Sequence, residues 1–313
     1  MSLSSVPTST LGPLSAFFAS VTWAVGSATY SKLSRNNRPF DVNFTRAALA
    51  LPCFLIAALV FNGGWNATVN AFESISSTKL GWLTLSVFAS FALGDLFFLW
   101  STLSLGVPGA LAVASGYPVL MTLAGVLFEG EALTLASATG VALVVIGIVL
   151  IVLNDPKGTP PPGIEAKSHP LLKKKSVGIF CAVFTMFAWA LNGYAVSRGG
   201  AGIDPFVGNA IRMSTSLIVI SILSLSFTRT RATLLPKNIL AANAPVILFE
   251  SFIGSALYVY GLSRSSIVLG GTLSSLAPML SVPIAVALKL ERFSWVRSIA
   301  VVIVVAGLSL LFR

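Results

Sequence analysis

Four charged side chains fall inside otherwise apolar stretches and are the first candidates for chemistry. Asp95 lies in FALGDLFFLW and Glu250 in VILFESFIG, while Arg46 and Arg212 each lie a little over one turn inside an apolar run. A charge in a segment apolar enough to lie in lipid is costly, and it usually faces the interior of a helix bundle or a water-filled cavity. These four residues therefore predict a polar site inside the protein.

Two interpretations of these charges remain open. A carboxylate shielded from water can exchange a proton or contact a cationic group of a substrate, and Asp95 and Glu250 are predicted to face a central cavity. Alternatively, each carboxylate is a structural partner of an arginine or is hydrogen-bonded across helices. We predict that Arg46 and Arg212 serve mainly as scaffold, by snorkelling to the interface or binding backbone carbonyls. Recognition of a substrate anion is their alternative role.

Aromatic and polar side chains within the apolar runs are further candidates for substrate contacts. The six that we select are Trp23, Tyr117, Trp189, Asn192, Tyr258 and Ser275. Pro118 and Pro278 are predicted to break a backbone hydrogen bond in mid-helix, and we interpret them as hinges or cavity lining. A simple packing kink is the alternative for the prolines, as helix packing is for Trp23 and Trp189.

Metal and nucleophile chemistry find no support in the sequence. The one histidine, His169, lies in a polar loop, and the two cysteines, Cys53 and Cys181, fall inside apolar runs. Such a set forms no metal site, and no Ser/His/Asp arrangement can be assembled within the apolar runs. A GxxxxGK[ST] phosphate loop is also absent from the sequence. We therefore predict that the protein is not an enzyme and uses no metal or cofactor.

The composition indicates a protein that lies in a lipid bilayer. Hydrophobic residues make up 55% of the 313 residues and charged residues only 10%, and the mean hydropathy is +0.89. A soluble domain usually carries about 25% charged residues. The net charge is +10, but the basic residues lie in short loops between apolar runs. This pattern is a topology signal of membrane proteins and argues against nucleic acid as a partner.

The apolar runs predict an all-α membrane protein with ten transmembrane helices. A helix needs about 20 mostly apolar residues to cross a bilayer, and ten runs meet this rule. They are 11–31, 41–62, 80–102, 107–127, 134–153, 176–197, 204–227, 240–262, 267–287 and 293–312. Residues 154–175, rich in proline, glycine and lysine, read as a linker. We predict one five-helix repeat at 1–153 and a second at 176–313.

Matched landmarks show that the two halves are duplicates. WAVGSATYSK at Trp23 aligns with WALNGYAVSR at Trp189, 166 positions later, and the same offset pairs Arg46 with Arg212. At an offset of 160, the pairs are Gly94 with Gly254, Pro118 with Pro278, Glu131 with Glu291 and Gly147 with Gly307. This second offset aligns Asp95 with Ser255 and Glu250 with Ser90. An odd number of helices per repeat makes the second half inverted, as in many secondary transporters.

Two other duplicated features are interpreted as structural. Glu131 and Glu291 lie at short loops just before a predicted helix start, where the helix dipole favours a negative charge. Gly140 and Gly147 fall on one face of the fifth run, as Ala300 and Gly307 do on the tenth. Small residues at such positions let membrane helices pack closely, so we predict helix–helix contacts there.

The basic residues also predict an orientation in the cytoplasmic membrane. Loops after the odd-numbered runs carry 14 lysines and arginines, and the opposite side carries 4. Loops rich in lysine and arginine stay in the cytoplasm. We therefore expect both termini on the non-cytoplasmic side.

The duplicated landmarks resemble the EamA-type branch of the drug/metabolite transporter superfamily. The resemblance rests on the early tryptophans, the arginine of each second helix, the proline and glutamate of each fourth helix, and the glycine of each fifth. It implies a ten-helix carrier that often exports amino acids or other metabolites. We expect a secondary-active exporter of small organic solutes that works by alternating access, with protons as a candidate coupling ion. The alternative is an uncoupled channel or facilitator; dispersed charges disfavour a membrane enzyme, and a receptor would leave the duplication unexplained.

Overall fold

The computed structural model describes residues 8–154, 174–277, 279–280 and 294–311. Within these ranges the chain is helical and contains no strand. The helices of the first half are α1 (Thr8–Asn36), α2 (Pro39–Phe61), α3 (Trp65–Glu73), α4 (Ser77–Val87), α5 (Gly94–Ala114), α6 (Tyr117–Glu129) and α7 (Leu135–Leu153). Those of the second half are α8 (Lys175–Gly200), α9 (Pro205–Thr228), α10 (Lys237–Leu248), α11 (Ser255–Ser263), α12 (Ile267–Ser274) and α13 (Trp295–Leu311).

The apolar runs of the sequence are mostly helical where the structure describes them, with breaks at 115–116 in the fourth run and at 275–276 in the ninth. Five helical stretches are long and apolar enough to cross a membrane, and they are 39–61, 77–102, 175–200, 205–228 and 237–263. Shorter apolar helices occupy 10–26, 117–129, 135–151 and 298–311. The ninth run, 267–287, is described only in part, and most of the linker, 155–173, lies outside the described residues. The count of ten spans therefore stays a prediction.

Helix α5 contains the turn between the third and fourth predicted spans. A Cβ atom on Gly94 would meet the Trp189 ring of α8, whereas Gly178, near the start of α8, lies against Ser104. Gly116, just after α5, again lies beside the middle of α8, against Met186. Along α5 these contacts run from Trp189 to Gly178 of α8 and then back to Met186. The chain therefore reverses its direction near Ser104, within the residues assigned to α5.

A π-helical segment interrupts the third predicted span of each half at matched positions. Segment π1 covers Phe88–Ala92 and segment π2 covers Phe249–Gly254. A π turn contains one extra residue, which rotates the following side chains relative to a regular α-helix, and such turns are frequent at functional sites. Asp95 follows π1 within one turn, and Glu250 lies inside π2.

The two halves pack directly on each other through α2 and α9. Their apolar faces share a buried core that also includes residues of π1 and α5, and its largest members are Phe40, Phe54, Phe91, Leu96, Met213 and Ile220. Phe54 of α2 also contacts Phe252 of π2 across the halves, with ring centroids 4.8 Å apart. This core fixes the second helix of one half against elements of the other, so that residues of both halves can share one site.

Helices α7 and α13 pack with their backbones in close contact. A Cβ atom on Gly140 would lie 2.8 Å from the Gly307 carbonyl oxygen, and one on Gly147 would lie 2.8 Å from that of Ala300. These approaches are possible only without side chains. The contact predicted for the small residues of the fifth and tenth runs is therefore present.

Replacing Gly147 with alanine should lower the stability of the protein. The new methyl group would lie 2.5 Å from Cγ2 of Val304, and such overpacking typically costs about 1–3 kcal/mol. Gly81 in α4 offers a matched control, because a Cβ atom there would have nothing within 4 Å. Apparent melting temperatures in detergent should fall for Gly147→Ala and hold or rise for Gly81→Ala. Equal melting temperatures for the two variants would contradict this packing.

Candidate functional site

A cavity of about 130 Å³ lies between the two halves and is lined by all ten predicted contact residues. Those ten are Trp23, Arg46, Asp95, Tyr117, Trp189, Asn192, Arg212, Glu250, Tyr258 and Ser275. They come from helices of both halves, which the packing of α2 on α9 holds together. The structure thus brings into one place side chains up to 252 positions apart in the sequence.

Arg46 joins the two buried carboxylates. Its Nη1 lies 2.7 Å from Oδ2 of Asp95, and its Nη2 lies 3.2 Å from each carboxylate oxygen of Glu250. Asn43, one turn earlier on α2, accepts a further hydrogen bond from Nη1 at 3.0 Å. A buried arginine of the first half therefore forms ion pairs with one acid of its own half and one of the other.

Donors from three directions hold Glu250 in place. Besides Arg46, its Oε2 accepts hydrogen bonds from the Tyr30 hydroxyl at 2.5 Å and from the Ser251 hydroxyl at 2.8 Å. Gly26 makes room for this side chain, since a Cβ atom there would lie 2.6 Å from Cγ of Glu250. Together these hydrogen bonds fix the orientation of the carboxylate.

Asp95 has fewer partners than Glu250. One oxygen accepts from Arg46, and the other accepts from the Trp189 indole N–H at 3.2 Å. Only 8% of the residue is exposed, and the residue lines the cavity. Asp95 is thus the carboxylate with the greater remaining capacity to accept a proton or a hydrogen bond.

Aromatic rings surround the Arg46 guanidinium. Its central carbon lies 4.2 Å from the Tyr30 ring centroid, 4.6 Å from that of Phe91 and 5.6 Å from that of Trp23. Cations are attracted to the faces of such rings. These contacts keep the planar group in one orientation, with its edge toward the two acids.

Arg212 is buried to the same degree but has only neutral partners among the described residues. Nε donates to the Ser86 hydroxyl at 2.9 Å, and the terminal nitrogens donate to the side-chain oxygens of Asn209 and Asn192, each at 3.2 Å. Asn192 in turn donates to the Tyr258 hydroxyl at 3.0 Å. The second half therefore presents its guanidinium at the cavity without a carboxylate partner.

Among the described residues, Arg46 and Arg212 neither snorkel to the interface nor bind backbone carbonyls, the two contacts considered for a scaffold role, and that role stays a prediction. Arg46 is 3% exposed and Arg212 is 2% exposed, and both donate to side chains inside the bundle. A position one turn inside a helix permits snorkelling, but tertiary partners at the same depth hold both guanidinium groups inside. The alternative of carboxylates paired with an arginine is observed for Asp95 and Glu250, and both pair with Arg46.

Trp189 is the centre of the aromatic wall. Its ring centroid lies 6.1 Å from that of Trp23, 6.2 Å from that of Tyr117 and 5.2 Å from that of Phe98. The Tyr117 hydroxyl lies 3.3 Å from that of Ser274. For Trp23 and Trp189, cavity lining and helix packing are thus both present, although the sequence pattern suggested them as alternatives.

Pro118 is not in mid-helix, contrary to the prediction. Helix α5 ends at Ala114 and α6 begins at Tyr117, so the proline occupies the first turn, where its missing N–H needs no partner. The equivalent break in the second half follows α12, which ends at Ser274, and Ser275 lies in it. Pro278 lies outside the described residues, and the hinge role of both prolines remains a prediction.

Several lining residues were not predicted from the sequence. They are Ala19, Thr22, Ser90, Phe91, Ser115, Gly254, Ser255, Ser274 and Ala277. Ser90 and Ser255 had a usable signal, because they occupy the repeat positions of Glu250 and Asp95. Small hydroxyl and apolar side chains are otherwise common in membrane helices and do not stand out by type.

Glu131 stabilises a helix start, as predicted, but a different helix from the one expected. Its carboxylate accepts from the backbone N–H groups of Ile267 and Val268 at 2.5 and 3.1 Å, which open α12 in the other half. Nearby, Glu129 accepts from Arg198 and Tyr194, each at 2.7 Å. Both of these glutamates of the first half therefore contact elements of the second half. Glu291 lies outside the described residues.

No group of three or more potential metal ligands occurs in the part of the chain that the structure describes. Cys53 and Cys181 are both free thiols, the first half-buried and the second buried. The chemistry available at the cavity is therefore that of two carboxylates, two guanidinium groups, hydroxyls and aromatic rings. Such groups bind charged and polar parts of small molecules.

Comparison with known proteins agrees with this architecture. The chain matches the EamA-like transporter family over residues 10–153 and again over 176–313. It is 27% identical over 173 residues to an uncharacterized transporter of Archaeoglobus fulgidus, and the match spans 55% of this chain and about half, 54%, of that relative. A solved crystal structure of 19% identity shares the fold, with a TM-score of 0.71 over 96% of this chain and 95% of the other.

The two family matches fit an inverted repeat, and together they cover nearly the whole chain. The protein is therefore a multi-pass membrane protein that belongs to the EamA-like transporter family, whose members transport small solutes.

Proposed function

We propose that the protein is a secondary-active carrier that moves small organic solutes, such as amino acids, across the cytoplasmic membrane by alternating access. The observation that carries this proposal is the cavity between the halves, which gathers two carboxylates and two guanidinium groups. Ionisable groups in a membrane bundle are costly and mark substrate and ion pathways. Their arrangement around an open space supports a binding site.

The charge balance supports protons as the coupling ion. Two carboxylates share Arg46, so this cluster carries one excess negative charge when both acids are ionised. A proton or a cationic solute group can neutralise that charge. Both acids line the cavity, but Glu250 accepts from Arg46, Tyr30 and Ser251, whereas Asp95 accepts only from Arg46 and Trp189. We therefore assign the exchange of protons to Asp95 and the positioning of Arg46 to Glu250.

The orientation and direction of transport belong to the same proposal. The excess of lysine and arginine in loops after the odd-numbered runs supports termini on the non-cytoplasmic side, and the family resemblance favours export. Trypsin added to sealed vesicles should cut within the basic linker 154–175 only where the linker faces outward, and the same treatment of intact cells tests whether that side is the cytoplasmic one. Flux measured in each population then gives the direction.

Replacing Asp95 with asparagine should separate coupling from exchange. In proteoliposomes with purified protein, we expect the wild type to show saturable uptake from a labelled amino-acid and metabolite panel, stimulated by internal solute and by an imposed pH gradient. Asp95→Asn removes the proton-binding group but keeps its shape. This variant should retain counterflow, and its rate of uptake driven by the pH gradient should fall at least tenfold. Glu129→Gln, which alters the contacts with Arg198 and Tyr194 and does not line the cavity, is the control and should respond as the wild type does.

The same vesicles distinguish the competing functions. Non-saturable flux without counterflow would favour an uncoupled channel. A pH response that survives Asp95→Asn would overturn the coupling role of that residue and leave the carrier standing. Glu250→Gln should mainly lower the melting temperature, because it removes the ion pair that holds Arg46 in place.

A further inference from the structure

Arg46 and Arg212 are held in the same way by their own halves. Each has an asparagine three residues earlier on its helix, which accepts a hydrogen bond from Nη1. The distances are 3.0 Å for Asn43 and 3.2 Å for Asn209. Each asparagine also donates to a backbone carbonyl of a neighbouring segment, of Phe91 and Ser255 respectively. The duplication has therefore preserved a support for a buried guanidinium on both sides of the cavity.

The two guanidinium groups differ in how many of their N–H groups are used. A guanidinium has five N–H donors, and Arg46 directs all of its nitrogens to Asn43, Ser251, Asp95 and Glu250. Arg212 makes three hydrogen bonds within the described residues. Two of its five donors therefore remain without a protein partner there, on a residue that is only 2% exposed and lines the cavity. An unpaired buried donor is costly unless something else accepts from it.

The missing acceptors can be identified from the repeat. The positions equivalent to Asp95 and Glu250 are Ser255 and Ser90, and both serines line the same cavity as Arg212. Serine is shorter than either acid and carries no charge. The volume and the negative charge that two acid side chains supply around Arg46 are thus missing from the repeat positions near Arg212. The cavity lies beside these shorter serines instead.

We propose that Arg212, Ser90 and Ser255 form a subsite for the carboxylate group of the transported solute. The solute carboxylate takes the role at Arg212 that protein carboxylates have at Arg46. A planar guanidinium edge matches a carboxylate through two parallel hydrogen bonds, and two N–H groups are available. The Ser255 hydroxyl supplies a further donor, whereas the Ser90 hydroxyl donates to the Ser86 carbonyl at 2.7 Å and leaves its oxygen at the edge of the subsite. This inference rests on the proposed carrier function and adds to it the chemical group that is recognised.

The net charge of the cavity distinguishes two classes of solute that carry a carboxylate, amino acids and simple monocarboxylates. With Arg46, Arg212, Asp95 and Glu250 all ionised, the cavity is neutral. A zwitterionic amino acid leaves it neutral and can place its ammonium group near Asp95, whereas a simple monocarboxylate adds a negative charge. Both share the carboxylate that Arg212 is proposed to hold. We expect amino acids to bind more tightly than monocarboxylates of the same carbon skeleton.

The test compares carboxylates with their amides as ligands of the purified full chain in detergent. The probes are the neutral amino acids and monocarboxylates of two to six carbons, each paired with its amide, and the readout is protection from thermal unfolding. Charged hydrogen bonds should favour the carboxylate over its amide by roughly ten- to one-hundredfold in Kd. Arg212→Gln should abolish this preference, and Arg212→Lys should retain only part of it.

A second variant keeps the test valid if Arg212→Gln fails to fold. Ser255→Asp rebuilds the carboxylate of the first half on the second, and Ser255→Asn is its control of equal size without the charge. We expect Ser255→Asp to fold and to lose carboxylate binding at least tenfold. Ser255→Asn should keep the preference for carboxylates.

Each result decides the proposal separately from the carrier function. Amides that protect as well as carboxylates, carboxylates that give no protection, or an unchanged preference in Arg212→Gln or Ser255→Asp would overturn the subsite. Transport with unchanged affinity in these variants would do the same and leave the carrier intact. Carboxylate binding that depends on Arg212, without counterflow in vesicles, would support the subsite and reject the carrier.

Discussion

Replacing Arg46 with glutamine is expected to be the most damaging single substitution in the cavity. It would leave Asp95 and Glu250, which are 8% and 6% exposed, without their shared cation. Removing one partner of a buried ion pair typically costs about 3–5 kcal/mol, and here two acids lose the same partner. The protein should be recovered in low yield, with a broad elution profile on size-exclusion chromatography and a strongly reduced melting temperature.

A compensated variant distinguishes loss of charge balance from loss of shape. Combining Arg46→Gln with Asp95→Asn and Glu250→Gln removes all three charges and keeps side chains of similar size. It should regain a substantial part of the lost melting temperature while remaining inactive in transport. A triple variant no more stable than Arg46→Gln alone would show that the arginine acts through packing.

Replacing Trp189 with alanine is expected to have the second largest effect. The indole packs against Trp23, Tyr117 and Phe98 and donates its N–H to Asp95. Truncation of a well-packed tryptophan typically costs about 3–5 kcal/mol, and the loss would widen the cavity and release one oxygen of Asp95. Melting temperature and solute binding should both fall.

Two variants make the Trp189 result interpretable. Trp65 in α3 is 71% exposed, so Trp65→Ala should change the melting temperature little. Trp189→Phe keeps most of the ring contacts but not the hydrogen bond to Asp95, and it should retain most of the stability with altered pH dependence of transport. If Trp189→Ala is as mild as Trp65→Ala, the aromatic wall contributes neither to the fold nor to the site.

The helix positions were predictable because hydropathy is a local property. The second predicted run, 41–62, corresponds to α2 at Pro39–Phe61, and the seventh, 204–227, to α9 at Pro205–Thr228. An apolar run of fixed length must form its own backbone hydrogen bonds in lipid, and a helix satisfies this requirement. The cost of a charge in such a run likewise singled out Arg46, Asp95, Arg212 and Glu250, although it did not distinguish an inward-facing arginine from one that snorkels to the interface.

The partners of those charges were not predictable, because they depend on helix rotation and on backbone irregularities. Hydropathy gave no sign of π1 and π2, which alter the direction of the side chains that follow, and Pro118 was placed in mid-helix because the run around it is continuous. That both acids meet Arg46 and neither meets Arg212 follows from the packing of the two halves. The repeat offsets indicated the asymmetry, since they align each acid with a serine.

The unequal surroundings of Arg46 and Arg212 have an energetic consequence for a carrier built from two inverted halves. If the two halves were identical, the states open to opposite sides of the membrane would be related by a two-fold rotation and would have equal free energy. The equivalence is lost because Arg46 pairs with two carboxylates, whereas Arg212 has only neutral partners among the described residues. Without solute or gradient, the protein of the proposed mechanism should therefore rest mainly in one of its two states, and binding at Arg212 would shift the populations only through unequal affinity for them.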